Sequence, residues 1–441
     1  MADARLDLST RQFCWSQLSS EDQKDLLQRP TQRVSTELTA TVNAILAAVR
    51  TEGDAAVLRY TRQFDCESLT ELRYPAAAIA RQLAKLPVAT KAAIDTAYGT
   101  IRKFHEAQRP QGIKIETAPG IECELRYAPM AAVGLYVPGG TAVLPSTALM
   151  LGVPAQLAEC PRVVLVSPPD ADGELAPALL YAAQCCGITE IYRCGGAQAI
   201  AALAYGTESI GKVNKIFGPG NSFVTAAKQA VSQDPSGAAI DMPAGPSELL
   251  VIADDQANPA YVAADLLSQA EHGADSQVVL LSDSAALIAA VREQLDTQLQ
   301  QLSRATTARQ ALANSALIEV ADLDEAVAIS QSYAPEHLSV QTAAAEELAE
   351  RLTHVGSLFI GPYTPESGGD YATGTNHVLP TYGFASTASS LGLLDFYRRY
   401  TSQKATRAGL AGLASAIVEL AQTEGLDAHA RAVTVRLEES S

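Results

Sequence analysis

Val163-Val164-Leu165-Val166, then Leu179–Cys186, then Ile191-Tyr192-Arg193, then Ala197–Ala204 form a short β-branched run, an alanine-containing run, a second short run and a second alanine-rich one. The short apolar runs suit buried strands, and the intervening segments have the length and composition of helices. Strands that alternate with helices predict a parallel sheet, because a parallel neighbour is reached only through a long crossover. The pattern begins near Val133. It resumes after Ile240 with Leu249–Ile252, a helix from about Pro259, Val278–Leu281, a longer helix, Ile318–Val320 and Leu358–Ile360. Two successive α/β sheets are therefore expected, an arrangement compatible with an old duplication. The N-terminal third reads as helical: Ser20 with Gln23 has capping-box spacing, and Val42, Ile45, Leu46 and Val49 recur at helical intervals up to Gly53. Beyond Tyr400, the residues Leu410, Leu413, Ile417 and Leu420 mark one face of a helix that Gly425 ends, and Asp427 can cap another. That stripe needs something to cover it.

At 441 residues the chain is long enough for two or three domains. Its composition, 47% hydrophobic and 18% charged, supplies ample core, and no apolar run is long enough to span a bilayer, so a soluble protein is expected. Met1–Pro30 carries charges throughout and has no apolar core followed by a cleavage site, which points to the cytoplasm. A net charge of −17 opposes phosphate backbones and anionic lipid, so neither nucleic acid nor membrane is an expected partner. The 7 cysteines (Cys14, Cys66, Cys123, Cys160, Cys185, Cys186, Cys194) are scattered and never spaced C-x-x-C, which argues against a disulfide framework or a thiolate metal site.

Two glycine turns precede helices: Gly195-Gly196-Ala197-Gln198 and Gly218-Pro219-Gly220-Asn221. Glycines let backbone N–H groups approach a phosphate at a helix start, yet Phe223 stands where the dinucleotide fingerprint has its third glycine. On the helix from Pro259, the inward row Val262, Leu266 meets Gln269, with His272 three residues on. A buried amide and imidazole need partners; mutual hydrogen bonds or a metal serve equally, and His272 before Gly273 also suits a helix C-terminus. Glu271 points about 200° away from Gln269 by the helical repeat. Pro335-Glu336-His337 joins the end of a helix near Tyr333 to the run Leu338–Val340, and a Glu beside a His there can supply a general base and an activator of water. The segment from Glu366-Ser367-Gly368-Gly369-Asp370-Tyr371 to Thr375-Asn376-His377 is dense in glycine, hydroxyls and possible ligands, as a site loop is. Glu424 and His429 flank the break between the last two helices, where solvated helix ends are also ordinary. His105 and His354 sit on polar helical stretches and receive no role.

Together these segments closely resemble the histidinol dehydrogenase family over nearly the whole chain. The most specific stretch runs from Ile240-Asp241-Met242-Pro243-Ala244-Gly245-Pro246-Ser247-Glu248 to Asp265-Leu266-Leu267-Ser268-Gln269-Ala270-Glu271-His272. Gly134–Gly140, Gly195–Ile200, Phe217–Asn221, Pro335–His337 and Gly374–Pro380 match as well. The resemblance implies an α/β fold of two incomplete Rossmann-like domains, the second inserted in the first, with small helical N- and C-terminal segments. The boundaries it suggests are 1–25 for the N-terminal helical segment, 26–135 with 247–390 for the large domain, 136–246 for the second Rossmann-like domain and 391–441 for the helical tail.

The resemblance further implies zinc, one per subunit, at Gln269, His272, Asp370 and His429, with Glu336 and His337 as the acid and base residues. It implies NAD contacts at Tyr136, Gln198 and Asn221, and substrate contacts at Ser247, Gln269, His272, His337, Asp370, Glu424 and His429. The expected activity is a four-electron oxidation of L-histidinol to L-histidine through bound L-histidinaldehyde, the last step of histidine biosynthesis, in a homodimer whose sites are shared between subunits. Zinc is d¹⁰ and takes no electrons, so hydride must leave to a nicotinamide, while the metal holds and polarises the substrate. Two imidazoles, an amide and a carboxylate leave zinc a formal charge near +1, suited to added neutral nitrogen ligands. Nitrogen and oxygen ligands also accept manganese or cobalt. Three other readings compete: a relative that oxidises another polar alcohol such as a sulfonated diol, a zinc hydrolase without nicotinamide, and a non-catalytic nucleotide-binding module. Glu424 with His429 favours histidinol over the first, and the Glu336-His337 pair disfavours the last.

Overall fold

The computed structural model describes residues 11–30, 36–139, 144–242 and 245–438. Gly140, Pro243 and Ala244 of the matching stretches lie outside them.

Two parallel sheets organise the chain. One has six strands, ordered Gln12–Cys14, Ala316–Glu319, Gln277–Ser282, Glu248–Ala253, His337–Gln341, Ser357–Ile360. The other has five, ordered Glu190–Arg193, Arg162–Ser167, Ala132–Tyr136, Lys215–Phe217, Ala239–Ile240. All pairings in both are parallel. Leaving aside Gln12–Cys14, both sheets run third, second, first, fourth, fifth in chain order, the Rossmann order with its last strand missing. The alternating runs quoted above therefore become two incomplete Rossmann-like sheets.

The two-residue period of a strand explains why the apolar runs are continuous. Leu249, Val251 and Ala253 pack with Val262, Leu266 and Ile288 on one face, while Leu250 and Ile252 pack with Val327, Ile329 and Tyr333 on the other. Burying each Val, Leu or Ile among them contributes about 1.5–3 kcal/mol. In the five-stranded sheet Val164 and Val166 face one cluster and Leu165 the opposite one. The helices of the N-terminal third cover this sheet: Val42, Ile45, Val49 and Val57 pack with Val164 and Ala199, and Ile94 and Ile101 with Leu135 and Leu149.

Three strands lie where the sequence reads as helix or tail. Ile113–Ala118 and Ile121–Pro129 form a hairpin, and Tyr397–Ala405 pairs antiparallel with its second strand. Their residues are mostly exposed or half-buried, so no buried face imposes a clear alternation. Gln12–Cys14 adds a further strand to a segment that is otherwise helical. The first cap also shifts by one residue, since Ser19 rather than Ser20 accepts from Asp22 N. After the Tyr397–Ala405 strand, Thr406 caps helix Arg407–Thr423 by accepting from Gly409 N at 3.0 Å. This helix and Asp427–Leu437 pack on each other. The expected apolar stripe stays partly open, with Leu420 63% exposed and Ile417 36%. Among the described residues no helix is long and apolar enough to cross a membrane.

Candidate active site

The two sheets use opposite ends. At the carboxyl end of the five-stranded sheet, a cavity of about 490 Å³ opens at the point where the strand order reverses, between Ala132–Tyr136 and Lys215–Phe217. Tyr136, Gln198 and Asn221 all line it. Asn221 caps helix Ser222–Gln233 by accepting from Phe223 N and Val224 N at 3.1 Å each, and the Tyr136 hydroxyl accepts from Gly196 N at 3.3 Å. Gly218 has φ +122°, and a Cβ there would meet the carbonyl oxygen of Tyr136 at 2.0 Å, so only glycine lets this turn pass the first strand. Behind the turn a buried ion pair holds it: Lys228 Nζ donates to Gly218 O at 2.7 Å and meets Asp241 Oδ1 at 2.5 Å, while Gly218 N donates to Asp241 Oδ2 at 2.7 Å.

At the amino end of the six-stranded sheet, polar groups converge on His337. Ala334, in the left-handed conformation, ends helix Leu323–Tyr333, and Pro335-Glu336 carry the chain into strand His337–Gln341. His337 is 3% exposed and Glu336 7%. His337 Nδ1 lies 3.0 Å from Glu248 O, the ring stacks on Phe359, and Glu336 Oε2 accepts from Glu248 N at 2.8 Å. His337 Nε2 faces Glu366 at 3.8 Å and Asp370 at 3.9 Å. Burial works against a charged ring, but Glu336, Glu366 and Asp370 outweigh it and push the His337 pKa up to about 10. Burial, reinforced by Glu366, raises that of the Asp370 carboxyl.

Gln269 enters from helix Pro259–Ala270 and is fully buried. Its Nε2 donates to Glu366, which also accepts from Ser268 Oγ at 2.6 Å. The helix stops at Ala270, so His272 lies just past it rather than on its last turn. His272 is not the buried imidazole that the helix pattern suggests, since its side chain is 41% exposed; Nδ1 is 3.2 Å from Ser247 Oγ, Nε2 is 3.9 Å from Asp370, and partial desolvation lowers its pKa.

The arrangement suits a cation. Gln269 Oε1 and His337 Nε2 are buried without a hydrogen-bond partner, in the midst of three carboxylates. Buried acceptors are rarely left unpaired, and a carboxylate cluster without a neutralising charge is costly. Among the His, Cys, Asp and Glu side chains of the described residues, His337, Glu366 and Asp370 offer ligand atoms within 4.8 Å of one another. Gln269, His272 and Asp370 are thus brought together with Ser247, Glu336 and His337. Glu424 and His429 are exposed on the tail, and among the described residues no hydrogen bond or ion pair joins either side chain to this cluster.

Two neighbours escaped the sequence reading as individual residues. Glu366–Tyr371 is a short helix rather than loop, so Glu366 and Asp370, four apart, share a face. His377 Nδ1 lies 2.9 Å from Asp370 O and its Nε2 3.3 Å from Thr147 Oγ1, and burial drops its pKa to about 4. Thr147 belongs to helix Pro145–Leu157, at the carboxyl end of the five-stranded sheet. That contact brings the two sites' ends together.

All seven cysteines are unpaired. Burial pushes the Cys160 thiol up to about 11 and raises Cys185, Cys186 and Cys194 as well, so these stay protonated and poor nucleophiles. Replacing each cysteine singly by Ala or Ser in folded protein is expected to leave turnover largely intact; loss of an aldehyde-oxidising step in any one variant would reveal a thiohemiacetal route.

Fold and site define a class: a two-sheet α/β protein with a dinucleotide-type cavity on one sheet and a metal-compatible, acid-base cluster on the other. The histidinol dehydrogenase pattern matches residues 27–437. Histidinol dehydrogenases of Idiomarina loihiensis and Colwellia psychrerythraea are 64% and 57% identical to this chain, each over 97% of it and over 97% and 98% of their own lengths. The crystal structure of histidinol dehydrogenase from Elizabethkingia anophelis superposes with a TM-score of 0.93 at 44% identity, covering 97% of this chain and 98% of that one. The chain belongs to the histidinol dehydrogenase family.

Proposed function

We propose that this chain oxidises L-histidinol to L-histidine in two NAD-linked steps, with Gln269, His272, Asp370 and a tail His429 holding zinc and Glu336 and His337 moving protons. Family membership makes it an NAD-dependent oxidoreductase of histidine biosynthesis that uses Zn²⁺. The observation that carries the site assignment is the orphaned Gln269 Oε1, on a side chain joined through Nε2 to Glu366, which with Asp370 faces His337 Nε2. When bound, zinc supplies a Lewis acid that grips the amino alcohol, and NAD supplies the hydride acceptor for each two-electron step.

The chain's own groups do the rest. His337 keeps Nδ1 on Glu248 O, which in the neutral ring leaves the lone pair on Nε2, facing the cluster, to take the alcohol proton. The carboxylates around it make the ring strongly basic; a dication held at Asp370 would cancel part of their field and return the ring toward its ordinary range. Glu336, held through one oxygen by Glu248 N, keeps the other to draw a proton from the water that attacks the bound aldehyde. Ser247 holds His272 and stands beside the substrate position. Tyr136, Gln198 and Asn221 line the cavity that takes NAD.

Four electrons require two NAD⁺ per histidinol, so counting total NADH against substrate consumed should give a ratio of about two. A ratio near one with free aldehyde accumulating overturns the two-step reading. A relative acting on another polar alcohol or a zinc hydrolase would give no NADH from histidinol.

The packing supports a division in which 247–390 centres one domain and 136–246 the other, with much of the expected 26–135 share assigned to the second, because residues 42–101 share its core. Gln12–Cys14 sides with the first. The open stripe on the tail supports a homodimer in which Glu424 and His429 complete the partner's site. Seven unpaired cysteines agree with a cytoplasmic location.

A further inference from the structure

The nucleotide cavity contains a carboxylate that the reading above leaves without a task. Asp65 follows helix Asp54–Phe64 directly and lines the same cavity as Tyr136, Gln198 and Asn221. Its neighbours there include Thr41 and Ile45 from helix Thr36–Glu52, and Phe64, which is 57% exposed. Among the described residues no hydrogen bond or ion pair holds the Asp65 side chain, and no Lys, Arg or His lines the cavity. The only charged side chain lining the described cavity is therefore negative. Burial raises the Asp65 pKa to about 6, so the group is ionised at neutral pH in spite of its surroundings.

The position of Asp65 says which part of a dinucleotide it meets. The turn at Gly218, which leads into Asn221 after the fourth strand, packs against Leu151 of helix Pro145–Leu157, and Thr147 on that same helix touches His377. The nicotinamide must lie toward that side to reach His337. Asp65, Phe64, Thr41 and Ile45 come instead from the helices that cover the five-stranded sheet, where Ile45 and Val57 pack with Ala197 and Ile200. This is the adenosine side. A carboxylate there can accept hydrogen bonds from ribose hydroxyls but repels a 2′-phosphate, which usually needs an arginine.

Resting on the assignment of this cavity to the dinucleotide, we infer that Asp65 is a specificity-determining residue: its carboxylate accepts from the adenosine ribose hydroxyls of NAD and excludes NADP. No residue of the five-stranded sheet's own glycine turns supplies that discrimination; it comes from the N-terminal helices packed over them.

The test uses the zinc-loaded full chain, with Asp65→Asn and Asp65→Ser beside the wild type. NAD⁺ and NADP⁺ are compared both as oxidants of histidinol and by direct equilibrium binding. The wild type should favour NAD⁺ strongly. Each variant should shift the ratio of kcat/KM for NAD⁺ over NADP⁺ toward NADP⁺ by at least about tenfold, through KM and binding rather than kcat. An unchanged ratio in folded Asp65→Asn and Asp65→Ser overturns the inference. Gln198→Ala and Asn221→Ala then separate the two failures: if they weaken NAD⁺ binding, only the role of Asp65 falls, and if they do not, the cavity assignment falls with it.

Discussion

Mixing inactive His337→Ala protomers with inactive His429→Ala protomers should restore roughly a quarter of wild-type activity under conditions that exchange subunits. The expectation comes from the tail. Within one chain His429 stands exposed on Asp427–Leu437, whereas Gln269, His272 and Asp370 meet at the amino end of the six-stranded sheet. Leu420, Leu426 and Val435 remain 63%, 41% and 46% exposed, an apolar surface that calls for a second copy. If the tail completes the partner's site, random exchange makes half of the dimers mixed. In each of these one site carries both defects and the other carries none. If His429 instead folds back onto its own chain, every site keeps one defect. No recovered activity despite demonstrated exchange would reject the shared site.

Zinc content and turnover should separate along the line between ligands and proton carriers. His272→Ala, Asp370→Ala, Gln269→Ala and His429→Ala are expected to lose metal on dialysis. Glu336→Gln and His337→Asn should retain it while turnover falls by about 10²–10⁴. The geometry behind this division is the different anchoring of the two sets. Gln269 presents a free oxygen because its amide nitrogen is spent on Glu366, and His272 presents Nε2 because Nδ1 rests on Ser247. Glu336 and His337 are pinned through the backbone of Glu248, whose own carboxylate is held by Arg29 at 2.6 and 3.0 Å. Full metal occupancy in folded His272→Ala or Asp370→Ala protein would refute the ligand assignment.

What the sequence made legible follows from burial. Runs such as Leu249–Ile252 and Val163–Val166 are covered on both faces, so continuous apolar character betrayed them. Ile113–Ala118 and Tyr397–Ala405 are largely solvent-facing, and their pairing is set by segments far apart in the chain, which no local pattern records. For the site, residue patterns singled out Gln269, His272 and Glu336-His337 as groups needing partners, but which partners depends on how the Pro259–Ala270 helix meets the Glu366–Tyr371 helix. Glu366 was visible only as one polar residue among many, although its four-residue spacing to Asp370 could have paired them. Asp65 gave no signal, because a lone carboxylate at a helix end is ordinary until the fold sets it in a cavity with Asn221 and Gln198.

The two sheets meet nose to tail, the carboxyl end of one against the amino end of the other, with Thr147 on His377 and Met150 O accepting from Asn376 Nδ2 at 2.8 Å across the join. On the proposed assignment of NAD to the cavity and histidinol to the His337 cluster, the gap that hydride must cross is set by this seam as well as by the two pockets.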